Sequence, residues 1–93
     1  MNFSVSISVY KHDNYIFFER ALKSIYNQTL KPSEVVLVVD GEISLELKKI
    51  VEDYLKYHKS TFNVIWLKTN QGHASARMIG LKNCKYNLVA LMD

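Results

Sequence analysis

Apolar and polar positions follow two periods along this chain, and the switches between them mark its elements. Phe3-Ser4-Val5-Ser6-Ile7-Ser8-Val9-Tyr10 alternates apolar residues with serines, which predicts a strand with one face packed more tightly than the other. Lys11-His12-Asp13-Asn14 breaks the alternation, and either Asp13 or Asn14 suits a helix N-cap. Phe18, Leu22, Ile25 and Thr29 then recur three or four apart, with Ala21 beside them, as one buried helical stripe. Lys31-Pro32-Ser33 ends that helix, since proline cannot continue it. Val35-Val36-Leu37-Val38-Val39 is an unbroken apolar run, the pattern of a strand buried on both faces inside a parallel sheet. It stops at Asp40-Gly41.

A second helix follows, with Ser44 as N-cap and Glu46 near the positive end of its dipole. Leu47, Ile50, Val51, Tyr54, Leu55 and His58 form its apolar stripe, and Lys48, Lys49, Glu52, Asp53 and Lys56 its solvated face. Glu52 and Lys56 have the spacing of a supportive ion pair. Phe62 to Leu67 reads as a third strand, with Trp66 in the core. Thr69-Asn70-Gln71-Gly72 is a polar turn opening a third helix from His73 to about Cys84, with Ala74, Arg77, Met78 and Leu81 on related faces. Asn87 to Met92 is a fourth apolar strand, ending at Asp93. The order β-α-β-α-β-α-β predicts an α/β fold: a Rossmann-like parallel sheet with helices on both faces, right-handed crossovers and strand order 3-2-1-4.

Composition narrows the field. Ninety-three residues make one small domain, and a hydrophobic fraction of 48% suits a globular one. A core of this size is marginal without a partner or further chain. The net charge of +3 comes from scattered cations, which fits an anionic ligand and gives no stripe for nucleic acid. A single cysteine, Cys84, permits no internal disulfide and fits a reducing, cytoplasmic setting; it reads as a small buried apolar residue. No apolar stretch is long enough to span a bilayer, which leaves association with a membrane surface open.

Parallel strands bring Tyr10 and Lys11, Asp40 and Gly41, Asn70 and Gly72, and Asp93 to one edge of the sheet, where open α/β sheets bind ligands. The turn opening the third helix offers backbone N–H groups to an anion, and Arg77 a nearby positive charge. Asp40 and Asp93 suit a base N–H, a ribose hydroxyl or a divalent cation. The sum is a site for a nucleoside diphosphate. The plainer reading of Asp40 alone is a turn cap. No glycine-rich phosphate loop follows the first strand, and His12, His58, His73 and Cys84 lack metal-ligand spacing. His58, ending a core stripe, reads as structural; His73 opens the third helix near the presumed phosphate site, where a surface histidine is the more frequent explanation.

In order and spacing, Val5 to Lys11, Ala21 to Thr29, Glu34 to Gly41, Asn70-Gln71-Gly72, Ala76 to Leu81 and Leu91-Met92-Asp93 resemble the family 2 glycosyltransferases of the GT-A fold. The resemblance implies that Ser8, Val9 and Tyr10 line the nucleotide base and that Asp40 accepts its ring N–H. It lays Asn70, Gly72 and Arg77 along the nucleotide. It makes Asp93 the first aspartate of a D-x-D motif, approaching the ribose and a Mg2+ or Mn2+ ion. The donor implied is a UDP-sugar, the acceptor a glycan or lipid-linked hydroxyl, the outcome inverting transfer in surface-polysaccharide assembly. Val39 and Met78 depart from the family pattern, where aspartate and asparagine are frequent. With Asp93 last, the chain looks like the amino-terminal, donor-binding part of a truncated GT-A domain, inactive alone and without a catalytic residue of its own. The apolar fourth strand is then expected at an exposed edge, favouring self-association. A non-catalytic nucleotide-binding module and a plain α/β interaction domain are the alternative readings.

Overall fold

The structure is a computed structural model that describes residues 1–92. Its elements are β1 (Ser4–Val9), α1 (Tyr15–Asn27), β2 (Glu34–Val39), α2 (Leu45–Tyr57), β3 (Phe62–Trp66), α3 (His73–Lys82) and β4 (Val89–Met92). The four strands are parallel in the order β3-β2-β1-β4, as expected from the alternation of strand and helix signals. Ser4 to Val9 pair in step with Glu34 to Val39, and Ile7 pairs with Met92.

Two layers of helix cover the sheet. Val5, Ile7, Val9, Val35, Leu37 and Val39 form one face and bury Phe18, Leu22 and Ile25 of α1 and Leu47, Ile50 and Val51 of α2. The opposite face receives α3, which packs on β1 and β2. β1 is therefore buried on both faces, Ser4 and Ser6 included, where the alternating pattern had suggested one looser face.

The caps are local and polar. Asn14 Oδ1 accepts from the backbone N–H of Ile16 and Phe17 at 2.9 and 3.2 Å, and Ser44 Oγ from Leu47 at 3.2 Å. Asn14, not Asp13, opens α1. α1 ends at Asn27, so Thr29 lies beyond the helix and is exposed instead of extending the stripe. On α2 the ion pair that forms is Lys49 with Asp53 at 3.6 Å; Lys56 instead sits over the Tyr57 ring. His58 stacks on Tyr26 at 3.9 Å between ring centroids, the structural role its place in the stripe suggested.

Three core assignments change. Trp66 is 46% exposed, because it ends an edge strand with a neighbour on one side only. The buried face of α3 is Ala76 and Gly80, while Ala74 and Met78 are exposed. A Cβ on Gly80 would stand 2.3 Å from Ser6 Oγ, so the helix approaches the sheet closely at small residues and has no room for a large apolar stripe. Cys84 is half-buried, its thiol donating to the Gly80 carbonyl at 3.2 Å, and burial raises its pKa above the ordinary value.

A buried acid clamps the amino edge of the sheet. Glu34 is 3% exposed and forms no ion pair with a cation among the described residues. Its Oε1 accepts from Ser4 Oγ and from the backbone N–H of Lys85, both at 2.8 Å, and its Oε2 from Asn63 Nδ2 at 3.0 Å. The carboxylate thus joins β1, β2, β3 and the α3–β4 connection.

Candidate functional site

The opposite, carboxyl edge carries the candidate site. An open cavity of about 460 Å³ there is lined by Ser8, Val9, Tyr10, Asp13, Asp40, Asn70, Gly72 and His73. All but His73, the first residue of α3, belong to the end of a strand or to the turn that follows it, the place where a parallel sheet gathers the ends of separate chain segments.

Two turns are laced together to form its floor. Gly41 adopts φ +88°, and a Cβ there would lie 2.7 Å from the backbone nitrogen of Asn70. Only glycine lets the chain leave β2 this close to the turn after β3. Asp40 completes the lacing. Its backbone N–H donates to the Val9 carbonyl at 2.8 Å. Its Oδ1 accepts from the backbone N–H of Gln71 at 2.7 Å, and its Oδ2 from that of Gly72 at 3.1 Å. Asn70 Nδ2 returns a bond to the Asp40 carbonyl at 3.3 Å. Asp40 itself is only 4% exposed. The turn-cap reading of Asp40 therefore describes its contacts, with the turn it caps belonging to the next strand–helix connection.

Gly72, at φ +96°, is the N-cap residue of α3 and has no side chain to satisfy the first turn. Its backbone and His73 face the cavity, so the amino end of a ten-residue helix is directed at it. The turn after β1 forms another wall. Asp13 Oδ2 accepts from the Tyr10 N–H at 3.0 Å, while the Asp13 N–H donates to the Tyr10 carbonyl at 3.0 Å. Tyr10 is 40% exposed, its ring edge-to-face with His12 at 5.7 Å.

Of the residues singled out in the sequence, Ser8, Val9, Tyr10, Asp40, Asn70 and Gly72 come together in this cavity. Arg77 does not line it. It sits in a narrow adjoining cleft with Ser6, Ile7, Ser8, His73, Leu91 and Met92, sharing Ser8 and His73 with the main cavity. Asp93 lies outside the described residues. Asp13 was missed, having been read only as a cap candidate; His73 was noted near the presumed phosphate site but read as surface, and both line the cavity at turns that the topology brings to the same edge.

Residues 4–93 match the sequence profile described as Glycosyl transferase family 2. The chain belongs to this family. It is 33% identical over 98% of its length to the Escherichia coli UDP-Gal:alpha-D-GlcNAc-diphosphoundecaprenol beta-1,3-galactosyltransferase. It is 36% identical, again over 98%, to the amylovoran biosynthesis glycosyltransferase AmsE of Erwinia amylovora. The chain spans 32% and 34% of those two proteins, about a third of each. Its fold superposes on a crystal structure of S. aureus TarS residues 1-349 with a TM-score of 0.78 at 32% identity, covering all of this chain and 27% of the other. The chain thus has the parallel 3-2-1-4 sheet that its strand–helix alternation predicted and the GT-A-like fold that the family resemblance implied.

Proposed function

We propose that this chain forms the donor-nucleotide cavity of a glycosyltransferase that moves a sugar from a nucleotide-sugar, most simply a UDP-sugar, to a hydroxyl of a glycan or lipid-linked acceptor. The observation that carries this reading is the cavity itself: strand-end side chains from three connections and the amino end of α3 converge on one opening. An aromatic ring at Tyr10 suits a base, and the N–H groups opening α3 suit a diphosphate. The Escherichia coli relative's name carries a UDP-Gal donor and a diphosphoundecaprenol-linked acceptor, which supports this donor and acceptor chemistry and a role in surface-polysaccharide assembly. On this reading the protein works in the cytoplasm at the inner face of a membrane. No helix among the described residues is long and apolar enough to cross one.

The reaction proposed is inverting. A general base takes the proton of the acceptor hydroxyl, whose oxygen attacks the anomeric carbon as the nucleoside diphosphate leaves. This chain's part is to hold and orient the leaving diphosphate, and we assign none of its residues the base. A Mg2+ or Mn2+ ion would neutralise that leaving group. Among the described residues no group of three or more His, Cys, Asp or Glu stands ready to hold a metal, so its protein ligand in this reading is Asp93, by family resemblance, and Ser8, Val9, Tyr10, Asp40, Asn70, Gly72 and Arg77 serve the nucleotide. Titration calorimetry of the chain with UDP, with and without Mg2+ or Mn2+, tests the reading. Saturable UDP binding that the cation tightens is expected. No binding by UDP or any other nucleoside diphosphate would sink it.

A further inference from the structure

A second opening lies apart from the strand-end cavity. It is a groove of about 430 Å³ between α1 and α2, toward their carboxyl ends, and it shares no residue with the cavity. Helices that follow parallel strands start at the carboxyl edge of the sheet and run back, so the groove opens toward the amino edge. Rings form its wall. Tyr26 stacks on His58 at 3.9 Å between centroids, and Tyr54 lies 5.9 Å from Tyr26 and 5.6 Å from His58. The Tyr26 hydroxyl meets the Thr61 hydroxyl at 3.3 Å, which fixes the cluster further. Tyr57 stands at the rim, 74% exposed, with the Lys56 ammonium 5.9 Å from its ring centroid. Polar side chains of both signs surround the rings. Glu19 and Lys23 come from α1, Lys31 from the segment after it and Asp53 from α2, so the formal charges of the lining cancel. Asp53 pairs with Lys49 at 3.6 Å. The side chains of Glu19, Lys23, Asn27 and Lys31 make no hydrogen bond or ion pair with any described residue. A cluster that served the core alone would not need this open, polar margin.

We infer that this groove binds a neutral oligosaccharide, a stretch of glycan held apart from the donor cavity. The inference rests on the reading that the protein acts on a glycan acceptor. A pyranose has an apolar face of C–H groups and a rim of hydroxyls. Preformed rings suit the face, because they offer apolar area with a polar tip and have little freedom left to lose. Carboxylate, amide and ammonium groups not engaged within the protein suit the rim, since one hydroxyl can donate to the first and accept from the others without breaking a protein contact. Balanced charge gives neither an anion nor a cation an advantage as the occupant. The volume is that of a small-molecule site, which runs about 300–1,000 Å³. A glycan held here by one segment raises the effective concentration of its other segments at the rest of the protein surface, the strand-end cavity included.

The test is a nuclear magnetic resonance titration of the isotope-labelled 93-residue chain. Chitotetraose and maltotetraose are the neutral probes, tetragalacturonate is the anionic one, and UDP is titrated separately. Saturable shifts of the backbone amides at positions 26–31 and 53–58 are expected with a neutral probe, with little change as salt is raised. Tyr57→Ala should weaken that binding about fivefold or more, and Tyr57→Phe, which keeps the ring, should stay within about twofold of wild type. Tyr57 lies outside the core, so both variants should melt close to wild type, and both should bind UDP as wild type does. A groove unshifted by both neutral probes, shifts confined to the strand-end cavity, or an affinity that survives Tyr57→Ala would overturn the inference while the UDP titration decides the donor site on its own. Tighter binding of tetragalacturonate than of either neutral probe would overturn it as well. Oligosaccharide shifts in the groove without UDP binding would uphold the groove and remove the donor site instead.

Discussion

Removing the Glu34 carboxylate gives the most direct measure of what holds the sheet together. Glu34→Ala strands three donors at once: the Ser4 hydroxyl, the Lys85 N–H and the Asn63 amide, at 2.8, 2.8 and 3.0 Å from the lost oxygens. A hydrogen bond to a charged acceptor is worth about 1.5–3 kcal/mol. The three share one carboxylate and do not add independently, and Ser4 and Asn63 can recover part of the loss with new partners. The net cost should be about 3–5 kcal/mol, within the range of a broken buried network. For a chain of this size each kcal/mol is about 4–8 °C in Tm, so the melt should fall by about 12 °C or more. Glu34→Gln is the informative control. Its carbonyl oxygen can still serve Ser4 and Lys85, and Asn63 can turn its own oxygen to the new amide N–H, so about 1–2 kcal/mol is expected. Urea denaturation followed by circular dichroism measures both. If Glu34→Ala costs under about 1 kcal/mol, or if Gln is as damaging as Ala, the carboxylate is not the joint that its contacts describe.

Gly80→Ala should destabilise by about 1–3 kcal/mol through overpacking, because its Cβ meets Ser6 Oγ at 2.3 Å; adding Ser6→Ala should restore part of that loss in the same urea assay. Burial raises the pKa of Tyr26 above its ordinary 10.0, with the Thr61 hydroxyl bond working the other way. Its contribution is intact below pH 10 and is lost as the pH climbs through the folded-state pKa, since the unfolded chain ionises first; Tyr26→Phe should flatten the decline measured above about pH 10. Leu88 and Leu91 are exposed beside the open edge of β4, so sedimentation should show association that grows with concentration and that Leu91→Lys suppresses; a strict monomer at all concentrations would refute it.

The sheet was legible because its signals are redundant. β2 needs both faces buried, and its unbroken run from Val35 to Val39 says so; alternation with helices then fixes parallel strands and the order. Ser44 and Asn14 are caps because short polar side chains reach nearby N–H groups, a local property that sequence carries well. What could not be read depends on distance in the chain. The place of Gly80 on the helix interface follows from Ser6, far away on β1. Trp66 is apolar in an apolar run and reads as core from that run alone, although the predicted order 3-2-1-4 already places its strand at an edge. At the site, the strand ends were found by topology alone. The partners of Asp40 were not, because they are backbone groups of a turn roughly thirty residues onward, and backbone donors leave no mark in a sequence. Asp13 was hidden by a stronger neighbour, since Asn14 offered the same local explanation.

The two buried acids act on one helix. Glu34 opens β2 and Asp40 directly follows it, so β2 has a carboxylate at each end. Asp40 takes the N–H groups of Gln71 and Gly72, just before α3. Glu34 takes the N–H of Lys85, just after it. Between them, Gly80 lets α3 lie close to Ser6 and Val38. The helix whose amino end faces the cavity is therefore pinned at both ends to the central part of the sheet and pressed against it in the middle. A shift of α3 along its axis would break charged hydrogen bonds at one end or the other, each worth about 1.5–3 kcal/mol. An anion arriving at Gly72 and His73 would thus meet N–H groups already in place and would not have to order the helix to bind. Among the described residues neither buried carboxylate, Glu34 or Asp40, has a cationic partner. Two backbone N–H groups satisfy Asp40, and the Lys85 N–H together with the Ser4 hydroxyl and the Asn63 amide satisfies Glu34, so both carboxylates set the helix that the cavity depends on.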